Sequence, residues 1–280
     1  MSYYGPRPWI QRHWDWRAAA NFVFGGTGSG LILAAALVLP LGPARAVSLP
    51  LGLALVVLGL TCVWLEIGRP WRALHVFFNP QTSWMTREAF AAILLFVVAV
   101  LAFFRPGEWM EVLLGASALL FAWCQAMILR ASKGIPAWRE PRVVPLILAT
   151  ALTEGAALAL VLALAYDFTG KLIYGLFAAA LLARAVAWTA YCSRVAPQLA
   201  AKPRAAIESV TPAFLWLGTL GALALAAAAS ALPRPYALPL VLVAAVGAIV
   251  AGWHAKRTIV TRASQNQGFS LPKLPTRGGK

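Results

Sequence analysis

The sequence is poor in charged residues, and acidic side chains are especially scarce. Only 12% of its 280 residues are charged, nine are Asp or Glu, and 61% are hydrophobic. Soluble domains carry about 25% charged residues, and a soluble core cannot absorb this much apolar surface. The shortage therefore excludes an ordinary soluble enzyme and a disordered chain.

Cysteine and histidine are also sparse, with three residues of each. The cysteines lie within apolar runs without CxxC spacing, which excludes a disulfide scaffold, favours a packing role and predicts no metal site. The histidines lie near predicted helix ends or in loops, so no transmembrane pair is available to ligate haem. We expect neither haem nor an iron–sulfur cluster in this chain. The residues concerned are Cys62, Cys124, Cys192, His13, His75 and His254.

Long apolar runs fill most of the chain. They lack the alternation of β-barrel strands, and most reach the roughly 20 residues that cross about 30 Å of hydrocarbon. We predict an all-α integral membrane protein with eight transmembrane helices, seven being the nearest alternative. The predicted spans are Arg17–Pro40, Pro50–Leu65, Ala89–Phe104, Val112–Leu129, Val143–Tyr166, Leu172–Tyr191, Thr211–Leu232 and Tyr236–Trp253.

The connections between these spans are too short to form a soluble domain. We therefore predict one polytopic membrane domain over residues 1–280. It comprises an N-terminal segment (1–16), an eight-helix bundle (17–253) and a basic tail (254–280).

Basic residues are divided unevenly between the two sides of the predicted bundle. Of the 24 Lys and Arg residues, 19 fall in the termini and even-numbered loops, four in odd-numbered loops, and Arg184 lies within a span. The positive-inside rule places both termini in the cytoplasm and the protein in the cytoplasmic membrane. Docking of an acidic subunit is a further explanation, compatible with the first. Binding of nucleic acid is not expected, because the charge does not form one patch.

A polar loop joins the second and third predicted spans. Glu66 closes one span and Glu88 opens the next, and Arg69 lies three residues after Glu66. A carboxyl group at the edge of hydrocarbon can exchange a proton, and a guanidinium can hydrogen-bond a carbonyl oxygen. Quinone reduction needs both. The alternative is that these residues simply flank two short spans.

A second polar group precedes and opens the first span on the same predicted face. The cluster consists of His13-Trp-Asp-Trp-Arg17, followed by Asn21. Histidine, asparagine and tryptophan can bind a quinone head by hydrogen bonding and stacking, and we assign His13, Asn21 and Trp84 of the loop to this role. The alternative explanation of the tryptophans is an interfacial anchor.

Two ionisable residues fall at mid-membrane depth. Glu154 and Arg184 lie in consecutive antiparallel spans, and charged groups inside a membrane are costly and frequently functional. We predict that they pair. The pair has either a structural role or a role in proton or quinone chemistry.

The glycine-rich run Gly25–Gly30 resembles a nucleotide-binding loop only superficially. No strand precedes it and no Lys follows it. Gly26 and Gly30 have the spacing that permits close packing of membrane helices, and we predict that role.

The segment from Trp14 to Gly30 resembles the first helix of the NrfD/polysulfide-reductase membrane anchor family. The motif Glu66-Ile-Gly-Arg-Pro-Trp-Arg72, with Asn79-Pro and Ser-Trp84 after it, resembles that family's loop between helices two and three. The DMSO-reductase anchors have a similar loop. The start Trp-x-Trp-Arg-Ala-Ala-x-Asn is similar to anchors of phenylacetyl-CoA:acceptor oxidoreductases.

This resemblance implies two four-helix bundles, a bound menaquinone or ubiquinone, a four-cluster ferredoxin-like partner and a molybdopterin catalytic subunit. It maps Glu66 and Glu88 to the quinone chemistry, and His13 and Asn21 to the binding of the quinone. The charge distribution puts these motifs on the cytoplasmic face, whereas many relatives dock their partners in the periplasm. The alternatives are a transporter or proton channel that uses Glu154 and Arg184, and a passive anchor without quinone.

Overall fold

The computed structural model describes residues 8–67, 70–168 and 170–268. These residues form eight helices long and apolar enough to cross a membrane, which confirms the all-α membrane fold and the predicted helix count. The helices are α1 (Trp16–Val38), α2 (Pro43–Glu66), α3 (Trp84–Phe104), α4 (Glu108–Arg130), α5 (Val143–Ala165), α6 (Lys171–Gln198), α7 (Ala201–Ser230) and α8 (Arg234–Arg262). Two short helices, Pro70–Phe78 and Pro136–Arg139, cover loops.

Several helices are longer than their apolar runs. Helix α2 begins at Pro43, where a proline in the first turn loses no hydrogen bond, and it continues through Pro50. Helix α3 begins after Ser83, whose hydroxyl oxygen accepts a hydrogen bond from the backbone N–H of Thr86 at 3.3 Å. The two spans that were predicted to be short therefore have 24 and 21 residues, which is enough to cross a bilayer.

Three clusters of buried apolar side chains hold the helices together. One is formed mainly by α2, α3 and α4, and the other two are formed mainly by α5–α8 but also include side chains of α1. The most extensive contact between helices joins α1 to α5, and the two four-helix bundles that the resemblance implied stay a prediction. A Cβ atom added to Gly30 would overlap the backbone carbonyl of Ala151, and one added to Gly155 would overlap the backbone of Gly30. This close approach confirms the packing role predicted for Gly30.

Three helices contain a wide turn in which backbone carbonyls lose their usual helical partner. These turns are Asn21–Gly25 in α1, Ala213–Gly221 in α7 and Thr258–Arg262 at the end of α8. A side chain from another helix or loop donates to a carbonyl of each turn: Gln125 to Asn21 (2.9 Å), Arg184 to Gly218 (2.5 Å) and Trp138 to Ile259 (2.8 Å). The wide turns thus create places where one element locks onto another.

The two ends of the described chain meet on one face, here called the terminal face. Strand β1 (Trp9–Ile10) pairs antiparallel with strand β2 (Gln265–Asn266). The Gln11 side chain adds a hydrogen bond to the carbonyl of Val260 at 3.2 Å. The predicted tail 254–280 is corrected accordingly, because its first nine residues continue α8.

Candidate functional site

The first polar cluster lies between α1, α3 and α4, close to the terminal face. Asn21 Nδ2 donates to Glu88 Oε1 at 3.0 Å, and Gln125 Nε2 donates to the backbone carbonyl of Asn21 at 2.9 Å. All three side chains are buried. Glu88 is four residues into α3, which places it about 6 Å beyond the start of the helix.

Local structure explains why these side chains converge. The wide turn Asn21–Gly25 frees the Asn21 carbonyl for Gln125. Cβ atoms added to Gly25 and Gly59 would crowd Gln125 Nε2 and the backbone N–H of Gly25, respectively. The glycines therefore let α1, α2 and α4 approach closely enough to surround the carboxyl group of α3.

The Glu88 carboxyl group lacks a cationic partner among residues 8–67, 70–168 and 170–268. Its neighbour Arg87 turns away and donates to the carbonyls of Pro80 (2.8 Å) and Gln81 (2.7 Å). The Arg87 guanidinium lies 4.2 Å from the centre of the Trp84 ring. Burying an unpaired charge is costly, so Glu88 is suited to taking up a proton.

A cavity of about 30 Å³ connects Glu88 with Glu66. Glu66 Oε1 is buried and has no hydrogen-bond partner among residues 8–67, 70–168 and 170–268. A space of this size, between two carboxyl groups, suits one water molecule. The cavity is lined by Trp14, Ala18, Asn21, Phe22, Val63, Glu66, Met85, Glu88 and Ile128.

The predicted quinone residues are only partly brought together. Glu66, Glu88 and Asn21 line the same cavity, whereas His13 is exposed and does not line it. Trp84 packs edge-on against Trp123, with ring centres 5.0 Å apart, and also stays outside the cavity. Arg69 lies outside the described residues.

Gln125 was missed by the sequence reasoning, and Trp14, a member of the predicted cluster around His13, was not among the predicted site residues. Gln125 is a polar residue within a predicted span, and the rule that singled out Glu154 would also have found it. Trp14 lines the cavity in the position expected of His13 and stacks on Trp138 with ring centres 4.7 Å apart. No pattern in the sequence distinguishes Trp14 from the other tryptophans near helix ends.

The segment before α1 is fixed beside the cavity. Asp15 caps the helix by accepting a hydrogen bond from the backbone N–H of Arg17 at 2.7 Å, and its carboxylate forms an ion pair with the Arg17 side chain. The hydrogen bond from that side chain is the main cause that lowers the pKa of Asp15 below its ordinary value. Arg17 also donates to the carbonyl of Leu65 at 2.7 Å, which joins α1 to the end of α2.

The second polar cluster lies deeper among the helices. Lys256 Nζ donates to Glu154 Oε2 at 2.7 Å, and both side chains are almost completely buried. The Thr27 hydroxyl donates to the same carboxylate oxygen at 2.5 Å and accepts a hydrogen bond from Trp253 Nε1 at 3.0 Å. The cluster therefore links α1, α5 and α8.

The predicted Glu154–Arg184 pair is wrong. Arg184 donates to the carbonyls of Ala248 (2.7 Å) and Gly218 (2.5 Å), and its guanidinium lies 4.6 Å from the centre of the Phe214 ring. The physical reason is the wide turn in α7, whose freed carbonyl attracts the guanidinium. Lys256 was overlooked because it was assigned to the tail.

Glycines make room for the ion pair. A Cβ atom added to Gly26 would crowd Lys256 Nζ, and one added to Gly252 would overlap Glu154 Oε1. Both charged side chains thus fit against bare backbone. Gly26 was predicted to permit close packing of helices, and instead it makes room for the Lys256 ammonium group.

The sites described above belong to a multi-pass membrane protein of eight helices. No protein-family model matches the chain, and no curated protein matches its sequence. The resemblance to the NrfD family therefore stays a prediction that rests on the quoted motifs.

Proposed function

We propose that this protein is the quinone-reactive membrane subunit of a molybdopterin oxidoreductase, of the NrfD or DMSO-reductase anchor type. The observation that carries the proposal is the convergence of Glu66, Glu88 and Asn21 on one cavity near the terminal face. These residues come from three helices, and the sequence predicted each of them as a site residue. A bound quinone supplies two-electron redox chemistry at such a site.

The side chains at the cavity offer hydrogen-bonding groups that suit a quinone head. Glu66 Oε1, which lines the cavity, is a buried acceptor without a partner in the part of the chain that the structure describes, and it suits a hydroxyl group of a quinol. The cavity volume is too small for a ring. The proposal therefore requires the exposed and flexible Met85 side chain, which lines the cavity, to move aside.

In this proposal the chain supplies orientation and protons. Asn21 and Gln125 position the Glu88 carboxyl group, and Glu88 holds a proton in a site that water reaches only through a narrow cavity. Glu66, at the end of α2, passes that proton to or from water at the terminal face. The helices that pack around Glu88 and Glu66 exclude bulk water from the region between the two carboxyl groups.

The proposed partners are a four-cluster ferredoxin-like subunit and a molybdopterin subunit, docked on the terminal face. A basic groove of about 990 Å³ on that face includes Arg12, Lys202 and Arg262 and suits an acidic protein surface.

The proposed location is the cytoplasmic membrane, with both termini in the cytoplasm. A periplasm-specific reporter fused after Lys280 should stay inactive, and an active reporter would contradict this orientation.

Carboxyl-to-amide variants test the redox proposal. In the purified complex, Glu66→Gln and Glu88→Gln should each impair quinone turnover severely, because the amide cannot exchange the proton. Assembly and dye reduction by the soluble subunits should be unchanged. Glu208→Gln, which alters an exposed carboxylate on the same face, is the matched control. Normal quinone turnover in both site variants would favour the passive anchor instead.

A transporter or proton channel built on Glu154 and Arg184 receives less support. Lys256 neutralises the carboxylate, and backbone carbonyls of α7 and α8 hold Arg184. The Glu154–Lys256 ion pair and the hydrogen bonds of Arg184 each join different helices, which is the usual role of structural polar contacts. We therefore assign this region to the stability of the bundle.

A further inference from the structure

A buried arginine lies on the face opposite the terminal face. Arg45, in the first turn of α2, is 4% exposed and donates through Nε (3.0 Å) and Nη2 (2.5 Å) to Glu111 Oε2 on α4. Its third nitrogen, Nη1, is buried and has no hydrogen-bond partner among the described residues. An unsatisfied buried donor is costly, so this nitrogen indicates a missing acceptor.

Arg45 lines a cavity of about 260 Å³ at the start of α2. The first turn of a helix carries free backbone N–H groups and the positive end of the helix dipole. The other wall contains Phe103 from the last turn of α3 and Pro106 from the connection between α3 and α4. The site therefore offers hydrogen-bond donors and positive charge to an anionic group at the level of the lipid headgroups.

An apolar groove of about 590 Å³ adjoins this cavity between α1 and α4. Leu41 and Glu111 line both spaces. The groove is formed mainly by leucine and alanine side chains, and the carboxylates of Glu108 and Glu111 lie at its end. The apolar groove is thus continuous with a site at the level of the lipid headgroups, where the guanidinium of Arg45 and the carboxylates of Glu108 and Glu111 lie.

We propose that this composite site binds an aminophospholipid of the phosphatidylethanolamine class. Its phosphate accepts hydrogen bonds from Arg45 Nη1 and the first turn of α2. Its primary ammonium donates to Glu108 and Glu111, and one acyl chain fills the groove between α1 and α4. The proposal does not rest on the proposed redox function, because the site lies on the other face.

Charge complementarity selects this lipid over the common alternatives. A phosphatidylcholine headgroup carries the same phosphate, but its quaternary ammonium has no N–H to donate. A phosphatidylglycerol headgroup has no cation for the two carboxylates. Both should bind more weakly than the aminophospholipid.

Thermal unfolding of the purified protein in detergent tests the proposal. Added phosphatidylethanolamine should raise the Tm by about 5 °C, and phosphatidylcholine or phosphatidylglycerol should raise it by less than half as much. Equal shifts with all three lipids would show that only nonspecific solvation by lipid occurs and would overturn the proposal.

Two variants locate the effect without touching the Arg45–Glu111 pair. Glu108→Gln should remove most of the advantage of phosphatidylethanolamine over phosphatidylcholine, and Ala116→Phe, which fills the groove, should reduce the shift with every lipid. The controls are Glu208→Gln on the other face and Ala224→Phe on the exposed side of α7. An unchanged lipid series in both site variants would place the lipid elsewhere and contradict the assignment. Arg45→Gln would add little, because it also breaks an ion pair.

Discussion

Two carboxyl groups are buried among the membrane helices, and they have opposite surroundings. Glu154 is paired with Lys256 and further held by Thr27. Glu88 is surrounded by the side-chain amides of Asn21 and Gln125. A paired charge is fixed in place, because separating it from its partner costs several kcal/mol. A carboxyl group among amides can change its protonation state without losing an ion pair, so this comparison separates a structural site from a chemical one.

The largest effect should come from removing one charge of the structural pair. Lys256→Met leaves Glu154 as an uncompensated buried charge and should lower the free energy of unfolding by about 3–5 kcal/mol. Chemical or thermal unfolding in detergent measures this change. The exposed Arg204–Glu208 pair provides the control, because Arg204→Met should change stability little. A small loss for Lys256→Met would remove the distinction between the two carboxyl groups.

The identity of the Glu154 partner is the next comparison. In a double-mutant cycle, Glu154→Gln and Lys256→Met should show a coupling of about 1–3 kcal/mol, because the second change removes the charge that the first left unpaired. The cycle of Glu154→Gln with Arg184→Gln should show a smaller coupling. A larger coupling energy for Glu154 with Arg184 than for Glu154 with Lys256 would contradict the observed ion pair and support the pair predicted from the sequence.

A moderate effect is expected at the amides of the other site. Asn21→Leu removes the donor to Glu88 and should cost about 1–3 kcal/mol of unfolding free energy. Glu88→Gln added to Asn21→Leu tests whether the loss is due to the carboxyl group. If the two changes are strictly additive, the Asn21–Glu88 hydrogen bond contributes no measurable stability.

The smallest effect should follow from neutralising Glu88 itself. Glu88→Gln keeps the shape of the side chain and can still accept from Asn21, so the unfolding free energy should change by less than about 1 kcal/mol. Glu154→Gln is the matched comparison and should be several times more destabilising. Equal losses at both positions, measured by the same unfolding assay, would show that Glu88 is also structural.

Hydrophobic run length and charge distribution were sufficient to predict the number of helices and their class. They were insufficient to predict helix ends, because Arg45 and Lys256 lie on helices whose charged turns are buried in this bundle. Both residues were assigned to loops or to the tail, where lysine and arginine usually remain solvated.

The candidate site was predictable in part, because the topology of the helices brings some of its residues to one face. Glu66, Glu88 and Asn21 lie on helices that must end or begin at one face, so their proximity followed from the topology. The exclusion of His13 and the pairing of Glu154 with Lys256 depended on side-chain packing and on wide turns. Neither is encoded in a periodic pattern that a single sequence reveals.

The pairing of β1 with β2 has a consequence for the order of synthesis. Residues 9–10 emerge early from the ribosome, but their partners at 265–266 emerge only after all eight helices have been made. The terminal face, where the basic groove lies, is therefore completed last. Any partner that recognises the closed groove would distinguish finished chains from those still being inserted.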